Sequence, residues 1–363
     1  MPYCRKCGTK LADDAQYCYN CGAPIVVPTE QTPPQPRNYE SPPNRPLRKN
    51  PLFIPVMVII TITLSALVIA AFAAAPLNPV NFNQQNKIDQ SGLNKLKLDF
   101  HADIGDINVY TNLTDGMVRM DVSATGATSL FESNQPVTFN VQNSTANGTQ
   151  IVTAEVSAPM NFPFAENLHV VCNIYVNPQA DLTLNVRSDV GEVYMDAPSN
   201  AKISSLWLEA TTGNAHLDLQ KGAALNGDVT LKTATGNVWL NMNEADINGN
   251  CTIELRSGVG DVNLNITQTV KFTGNLQVNG QTGTGDINLD SMEIDGEVAA
   301  KIQSNTGLGQ IRLDVKNFNG GQSLTQSNNY PSTSNINMNF NTGLGNVNLK
   351  ATYKTSIQPT IRV

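Results

Sequence analysis

The sequence predicts a mainly β protein: a single-stranded β-solenoid-like repeat domain, joined through one transmembrane helix to a small cysteine-rich module. Three observations predict this class. A glycine recurs at intervals of 22–25 residues through much of the second half of the chain, between stretches that alternate apolar and polar residues. An uncharged apolar run lies near residue 60. Two C-x-x-C-G motifs precede that run.

The composition of the 363 residues agrees with this class. Hydrophobic residues make up 40% of the chain, enough for a packed core, whereas aromatic residues make up 6%. Glycine, asparagine and threonine are frequent, which favours strands and turns over helices. The net charge of −7 is uneven, because residues 1–50 carry +3, residues 51–75 carry none and residues 76–363 carry −10. The chain therefore consists of three parts that differ in charge, which indicates different structural roles.

The N-terminal module, residues 1–24, is defined by its cysteines. The first C-x-x-C-G motif holds Cys4 and Cys7, and the second holds Cys18 and Cys21. Each motif presents two thiolates from one tight turn, and the following glycine lets the backbone bend under a metal ion. We therefore predict a structural Zn²⁺ site with four protein ligands, in a module too small to fold without metal. A disulfide pair or a redox motif is the alternative, which a cytosolic location disfavours.

This module resembles the short zinc ribbon found at the N-terminus of many prokaryotic membrane proteins. The resemblance implies an interaction or assembly module. Nucleic-acid binding is disfavoured, because only Arg5, Lys6 and Lys10 are basic and Asp13 and Asp14 oppose them.

A linker and a membrane-spanning segment are predicted next. Residues 25–50 are rich in proline, which is typical of a semi-rigid spacer, with a proline-motif ligand as the alternative. Within residues 51–75, the uncharged run Leu52–Ala75 would reach about 36 Å as a helix, enough to cross a hydrocarbon core of about 30 Å. A buried core helix, or a signal peptide cleaved near Ala75, is the alternative.

The charges beside the apolar run predict its orientation. Residues 76–86 hold no basic side chain, whereas four precede the run: Arg37, Arg45, Arg48 and Lys49. Positive charge favours the cytoplasmic side, so we expect a single-pass protein with a cytoplasmic N-terminus. A stalk at 76–92 and the repeat domain at 93–363 would then lie outside the membrane.

The repeat domain is organised around structural turn glycines. They are Gly191, Gly213, Gly236, Gly260, Gly285, Gly309 and, after a longer interval, Gly345. An early copy lies at Gly105. Apolar residues stand two and four positions after each repeat glycine and seven positions before it. Each repeat therefore predicts a strand, a glycine turn, a second strand and a return loop, with successive rungs stacked in chain order.

The glycine turns also admit ligand-binding interpretations. The stretch TGTGDINLD, residues 282–290, is similar to calcium-binding β-roll sequences, but the period near 24 and acids in only some rungs disfavour calcium. A dinucleotide-binding motif is excluded, because Asn288 takes the place of the third glycine.

We do not expect an enzyme. The candidate acids of a carbohydrate-active β-helix are Asp106, Asp261 and Asp286, but Asp106 is not in a rung adjacent to the other two. The three histidines are isolated in sequence and are interpreted as surface or edge residues; they are His101, His169 and His216. No hydrolase, metalloprotease or phosphate-binding motif is present.

The domain resembles the prokaryotic toast-rack, or adhesin-like, family of membrane-anchored β-solenoids. The resemblance begins with DFHADIGDINVYTN at 99–112, continues through HVVCNIYVNPQADLTLNVRSDVGEV at 169–193 and covers roughly residues 93–352. It implies a non-catalytic surface domain that scaffolds, binds partners or senses the state of the envelope. The Gly/Ser/Asn-rich stretch 317–335 departs from the pattern, and we expect an exposed loop there.

Two further cysteines, Cys172 and Cys251, lie in the outer domain in phase with aliphatic neighbours. We interpret both as core residues, and a disulfide between them is left open.

The expected function is that of a surface protein that binds or scaffolds, with protein partners on one or both sides of the membrane. The zinc module would couple it to a cytosolic partner. The alternative is a purely structural adhesin-like protein, followed by a calcium- or carbohydrate-binding β-helix. The sequence indicates no particular ligand or oligomeric state.

Overall fold

The computed structural model describes residues 78–89, 92–128, 137–158 and 168–354. It also describes Tyr3, Cys4, Lys6, Cys7, Thr9, Lys10, Tyr17, Cys18, Asn20, Cys21 and Thr63. The chain divides into two units, Met1–Ala71 and Phe72–Val363. The predicted linker at 25–50 and, except for Thr63, the predicted transmembrane helix at 51–75 lie outside the described residues. Among the described residues, no helical segment combines the length and apolar character needed to cross a bilayer.

The second unit is built from β-strands, as predicted. Its first strands are β1 (Asn78–Ile88), β2 (Lys95–Ile104), β3 (Asp106–Tyr110), β4 (Val118–Thr128), β5 (Thr138–Ala146), β6 (Thr149–Ser157), β7 (His169–Val176), β8 (Asp181–Val190), β9 (Val193–Ala197), β10 (Lys202–Thr212), β11 (Ala215–Leu219) and β12 (Ala224–Leu225). The others are β13 (Val229–Thr235), β14 (Val238–Asn243), β15 (Asp246–Ile247), β16 (Cys251–Val259), β17 (Val262–Gln268), β18 (Gly274–Thr284), β19 (Ile287–Asp295), β20 (Val298–Leu308), β21 (Ile311–Lys316), β22 (Phe318–Gly320), β23 (Leu324–Ser327), β24 (Ser334–Leu344) and β25 (Val347–Lys354).

The strands form two sheets. Within the described residues, sheet 1 has 14 strands, in the order β22-β23-β20-β24-β18-β16-β13-β10-β8-β2-β6-β5, with β12 paired with β10 and β15 paired with β12. Sheet 2 has 11 strands, in the order β1-β4-β7-β3-β9-β11-β14-β17-β19-β25-β21. The strand before each turn glycine lies in sheet 1 and the strand after it lies in sheet 2. Each rung therefore contributes one strand to each sheet.

Period-two alternation explains how the rungs hold together. In β9 the buried side chains of Val193, Met195 and Ala197 alternate with the half-buried side chains of Tyr194 and Asp196. The inner side chains of both sheets join a single hydrophobic core that runs from rung to rung. Each fully buried aliphatic or aromatic side chain contributes about 1.5–3 kcal/mol. The parallel strands add a hydrogen-bond ladder between rungs, as in β11 and β14, paired from Ala215 to Leu219.

The order of the last rungs differs from the prediction. The rung of Gly345, β24–β25, lies between the rung of Gly285 and the rung of Gly309, so the rung of Gly309 ends the stack. The chain between them supplies the physical reason. Strand β23 pairs antiparallel with β20, so that edge of β20 is already occupied and the next rung enters on its other side.

The stretch 317–335, expected as an exposed loop, is instead partly ordered into the sheet. It contains β22 and β23, which pair antiparallel. Thr325, Ser327 and Ser334 are buried. The expectation of a plain loop was wrong, because the segment covers the edge strand of sheet 1, which would otherwise present unpaired backbone groups.

The region expected as a stalk, residues 76–92, contains an edge strand. Strand β1 pairs antiparallel with β4 along its whole length, from Asn78 to Ile88. Lys87 also donates a hydrogen bond to Asp115, at 2.9 Å. The β-sheet structure therefore begins before residue 93.

Candidate zinc centre and binding face

The four N-terminal cysteines lie together. Their Sγ atoms all lie within 4.8 Å of one another, with Cys4 to Cys21 at 3.7 Å and Cys7 to Cys18 at 3.6 Å. Four thiolates around a tetrahedral Zn²⁺, with Zn–S bonds of about 2.3 Å, would be about 3.8 Å apart. Among the described cysteines none is in a disulfide. The cluster therefore fits a tetrahedral metal ion in donor type, number and spacing.

Local hydrogen bonds shape the turn that holds Cys4 and Cys7 and favour the thiolate form of both side chains. The Cys4 amide donates to the Thr9 carbonyl at 2.9 Å, and Tyr3 and Lys10 form an antiparallel bridge. The Thr9 hydroxyl, at 3.2 Å, is the main cause that lowers the pKa of the Cys7 thiol to about 6. Backbone N–H groups, first that of Lys6, lower the pKa of Cys4. Because a metal ion binds the deprotonated thiol, these contacts prepare the cluster for it.

The turn glycines stack in contact with one another. Six of the seven predicted glycines have positive φ, between 139° and 150°: Gly191, Gly213, Gly236, Gly260, Gly285 and Gly345. Gly309, in the end rung, does not have positive φ. A Cβ on Gly213 would lie 2.0 Å from the carbonyl oxygen of Gly191, and one on Gly309 would lie 1.8 Å from that of Gly345. The stack therefore requires glycine for space as well as for conformation.

The residue after each turn glycine forms a turn ladder. The Asp106 carboxylate accepts the backbone N–H of Glu192 at 2.9 Å, and Asp261 accepts that of Asp286 at 2.8 Å. Asp286 in turn accepts the N–H of Asn346 at 2.6 Å. All three acids considered as catalytic candidates thus hold one rung to the next. Asp106 lies apart from the other two, at the far end of the ladder.

A feature not recognised in the sequence is a row of aromatic side chains on the outer face of sheet 2. Ring centroids are 5.5 Å apart for Tyr175 and Tyr110, 6.5 Å for Tyr110 and Tyr194, 5.1 Å for Tyr194 and His216, and 6.2 Å for His216 and Trp239. All five side chains are half-buried. We call these residues the aromatic row. Tyr194, His216 and Trp239 each lie three positions after a turn glycine, a column that aligned repeats would have revealed.

Asp218 organises the middle of the aromatic row. It accepts hydrogen bonds from Tyr194 Oη at 2.8 Å and Asn241 Nδ2 at 2.7 Å, and His216 Nε2 lies 2.9 Å away. Burial opposes ionisation of Asp218, but these donors outweigh it and lower its pKa. Burial, then the Asp218 carboxylate, raises the pKa of Tyr194. A shallow groove of about 330 Å³ opens beside Tyr194, His216 and Trp239.

The two remaining cysteines are core residues, as predicted. Cys172 in sheet 2 and Cys251 in sheet 1 are buried and free, so no disulfide joins them. Burial raises the pKa of the Cys172 thiol to about 12. Neither thiol is a candidate nucleophile.

Solved structures from three bacteria are similar to this chain over about three quarters of its length. A candidate cell adhesion protein from Clostridium sporogenes is 14% identical, with 76% of this chain and 100% of that chain covered and a TM-score of 0.37. A candidate adhesin from Bacteroides fragilis is 15% identical, with 74% and 96% covered and a TM-score of 0.37. A candidate lipid-binding protein from Parabacteroides distasonis is 12% identical, with 75% and 97% covered and a TM-score of 0.30. No curated protein matches the chain. Residues 3–25 match the zinc-ribbon domain family.

Proposed function

We propose that this protein is a non-catalytic, single-pass membrane protein whose β-solenoid domain binds partners at the cell surface. The aromatic row is the observation that carries this proposal. Its rings are half-buried on an outer sheet face, beside a shallow groove and a preorganised carboxylate. Aromatic side chains in such positions are the usual energetic centres of binding surfaces.

The later rungs indicate that the fold does not require these rings. The positions equivalent to Trp239 are Asn263, Asn288 and Asn348, which form an amide ladder with bonds of 2.8–2.9 Å. An asparagine therefore suffices to stack one rung on the next. Rings in the earlier rungs then serve another purpose, and binding is the role that we assign to them.

Membrane anchoring is supported by the sequence. The uncharged run Leu52–Ala75 and the basic residues before it favour a cytoplasmic zinc ribbon and an outer repeat domain. In this arrangement the ribbon is an interaction module for a cytosolic protein. The alternative is a purely structural surface protein, in which neither the ribbon nor the aromatic row has a specific partner.

Zinc is the metal that we assign to the cluster of Cys4, Cys7, Cys18 and Cys21. Four thiolates at tetrahedral spacing select Zn²⁺, and four protein ligands leave no position for a substrate. Zinc would thus supply folding free energy and no chemistry. Metal analysis of the purified chain should find zinc, and Cys18→Ser should remove the one equivalent that the four thiolates hold.

The two tryptophans of the chain provide a matched test of the binding face. Trp239 lies on sheet 2 in the aromatic row, whereas Trp207 lies on sheet 1. Crosslinking in cells, followed by purification and mass spectrometry, should recover surface partners with the wild type and with Trp207→Asn. Trp239→Asn should lose them while its circular dichroism stays unchanged. Equal recovery with all three chains would reject the aromatic row as the binding face.

The same experiment with Cys18→Ser tests the cytosolic half of the proposal. A cytosolic regulator recovered only with the intact ribbon supports coupling across the membrane. An identical set of cytosolic proteins with both chains favours the purely structural alternative.

A carbohydrate ligand is a second candidate, which the pairing of rings with polar groups favours. Sugar rings present apolar C–H faces to aromatic side chains and hydroxyls to groups such as Asn108 and Asp218, which lie beside Tyr194. Titration with soluble polysaccharides, followed by tryptophan fluorescence, would detect such a ligand through Trp239. A response that persists in Trp239→Asn would come from Trp207 and would argue against this face.

A further inference from the structure

A second cluster of potential metal ligands lies at the first two rungs, outside the surfaces described above. His101 and Asp103 are on β2, and Asp189 is on the neighbouring strand β8. Ligand atoms of all three side chains lie within 4.8 Å of one another, and His101 Nε2 is 3.4 Å from Asp189 Oδ1. We propose that these three residues bind a divalent transition-metal ion, independently of the function proposed above.

The strand register forces two carboxylates together. Ala102 pairs with Ser188 and Ile104 pairs with Val190, so Asp103 and Asp189 stand directly opposite each other. Like charges in this arrangement destabilise a sheet. In the described part of the chain, no lysine or arginine nitrogen forms an ion pair with either carboxylate.

The neighbouring cation, Arg187, contacts other residues and not the two aspartates. Arg187 is paired with His101 in the register, but its Nε donates to Asn185 at 2.9 Å. Its guanidinium lies 5.7 Å from the ring centre of Trp207 and 3.9 Å from a carboxylate oxygen of Glu209. The two opposed aspartates are thus left for another cation.

The fold does not require acidic residues at the positions of Asp103 and Asp189. Asp103 and Asp189 each stand two residues before a turn glycine. The equivalent residues of the other rungs are uncharged: Thr211, Ala234, Gly258, Gly283, Gly307 and Gly343. The opposed pair is therefore a local feature of the first two rungs, which adds repulsion without serving the turn.

The donor set indicates the class of ion. One imidazole nitrogen with two carboxylates suits Zn²⁺ or Mn²⁺, whereas Ca²⁺ and Mg²⁺ prefer oxygen ligands throughout. The Ala158 amide donates to Asp103 Oδ2 at 3.3 Å, which orients that carboxylate. A groove of about 310 Å³ opens beside His101 and Asp189, leaving room for water molecules to complete the coordination.

Manganese distinguishes this cluster from the zinc ribbon, because thiolates prefer zinc. The full chain in detergent, with its ribbon loaded with zinc, would be titrated with Mn²⁺ and followed by electron paramagnetic resonance. We expect a single Mn²⁺ site per chain, from which added Zn²⁺ displaces the manganese. Asp189→Asn and His101→Asn should each weaken binding by about tenfold or more, as loss of a ligand requires. Asp290→Asn removes an exposed acid on β19 and should leave the affinity unchanged.

Thermal unfolding provides a second measurement, because Asp189→Asn should affect the melting temperature differently without and with metal. Without added metal, Asp189→Asn relieves the repulsion and should raise the melting temperature above that of the wild type. With Mn²⁺, the wild type should gain stability and the variant should not. No Mn²⁺ binding to the wild type at millimolar concentration would overturn the proposal. Unchanged affinity in Asp189→Asn would overturn it equally.

Discussion

Replacing Gly236 by alanine tests how closely the rungs are stacked. Gly236 has φ of +143°, and a Cβ there would lie 1.8 Å from the carbonyl oxygen of Gly213. The rungs would have to separate by more than 1 Å, since ordinary Cβ contacts begin near 3.4 Å. Two backbone hydrogen bonds border this contact: Gly236 donates to Val259 and Gly213 donates to Thr235, both at 2.9 Å.

The expected loss follows from these terms. Backbone strain at positive φ costs about 1–3 kcal/mol. Each weakened hydrogen bond costs about 0.5–1.5 kcal/mol. We therefore expect Gly236→Ala to lower the free energy of unfolding by roughly 2–6 kcal/mol.

Gly249 provides the matched control. It also has positive φ, at +85°, but no atom of a neighbouring rung lies within 4 Å of the position that an added Cβ would take. Gly249→Ala should therefore cost only the conformational term, about 1–2 kcal/mol. The difference between the two variants measures the contact between rungs.

Urea unfolding followed by circular dichroism is the assay, supported by hydrogen exchange because repeat proteins can unfold in segments. Amides in the rung of Gly236 should lose protection in Gly236→Ala and keep it in Gly249→Ala. Equal destabilisation by the two substitutions would refute the argument, because it would mean that neighbouring rungs leave room for a side chain.

Three further outcomes are expected. Asp261→Asn keeps the oxygen that accepts a backbone N–H in the turn ladder and should change stability by less than about 0.5 kcal/mol, whereas Asp261→Ala should cost about 1 kcal/mol in urea unfolding. Asp218→Asn should cost about 1–2 kcal/mol near neutral pH. Because folding lowers the pKa of Asp218, this contribution is complete above its ordinary pKa of about 4 and is lost as the pH falls through the lowered value, so the two unfolding curves should converge in acid. Cysteines at positions 279 and 339 should form a disulfide, since Asn279 and Asn339 are paired on β18 and β24. Cysteines in place of Asn279 and Gln303 should not form a disulfide, because β24 separates these positions by about 9–10 Å. The reverse result would mean that the rungs are stacked in chain order.

The rung itself could be predicted because its information is local. Alternating apolar residues define which face of a strand is buried, and a glycine between two such strands marks the corner. These signals lie within about 12 residues of each glycine, so each rung can be recognised without knowing its neighbours. The four-cysteine cluster was predictable for the same reason, since both of its motifs are short.

The order of the rungs could not be predicted in this way. Every rung carries the same inner pattern, so β24 matches β18 in register as well as β20 would, and the register alone does not choose between them. The choice depends on the antiparallel pairing of β23 with β20, a contact between polar segments without a clear periodic signal. The aromatic row was missed for a related reason, because it is a property of several rungs in alignment and of none alone.

The ladders limit where function can lie on this domain. At the turns, each side chain of the turn ladder from Asp106 through Asn237 to Asn346 already uses one oxygen to accept a donor from the next rung. A ligand that engaged these atoms would have to replace a bond that stacks the rungs, at a cost of about 1 kcal/mol for each. The outer sheet faces carry no such constraint, because asparagine, tyrosine, histidine and tryptophan all occupy equivalent positions there. Binding surfaces can therefore diversify on the outer sheet faces without loss of the stack. Both the aromatic row and the His101 cluster lie on these faces.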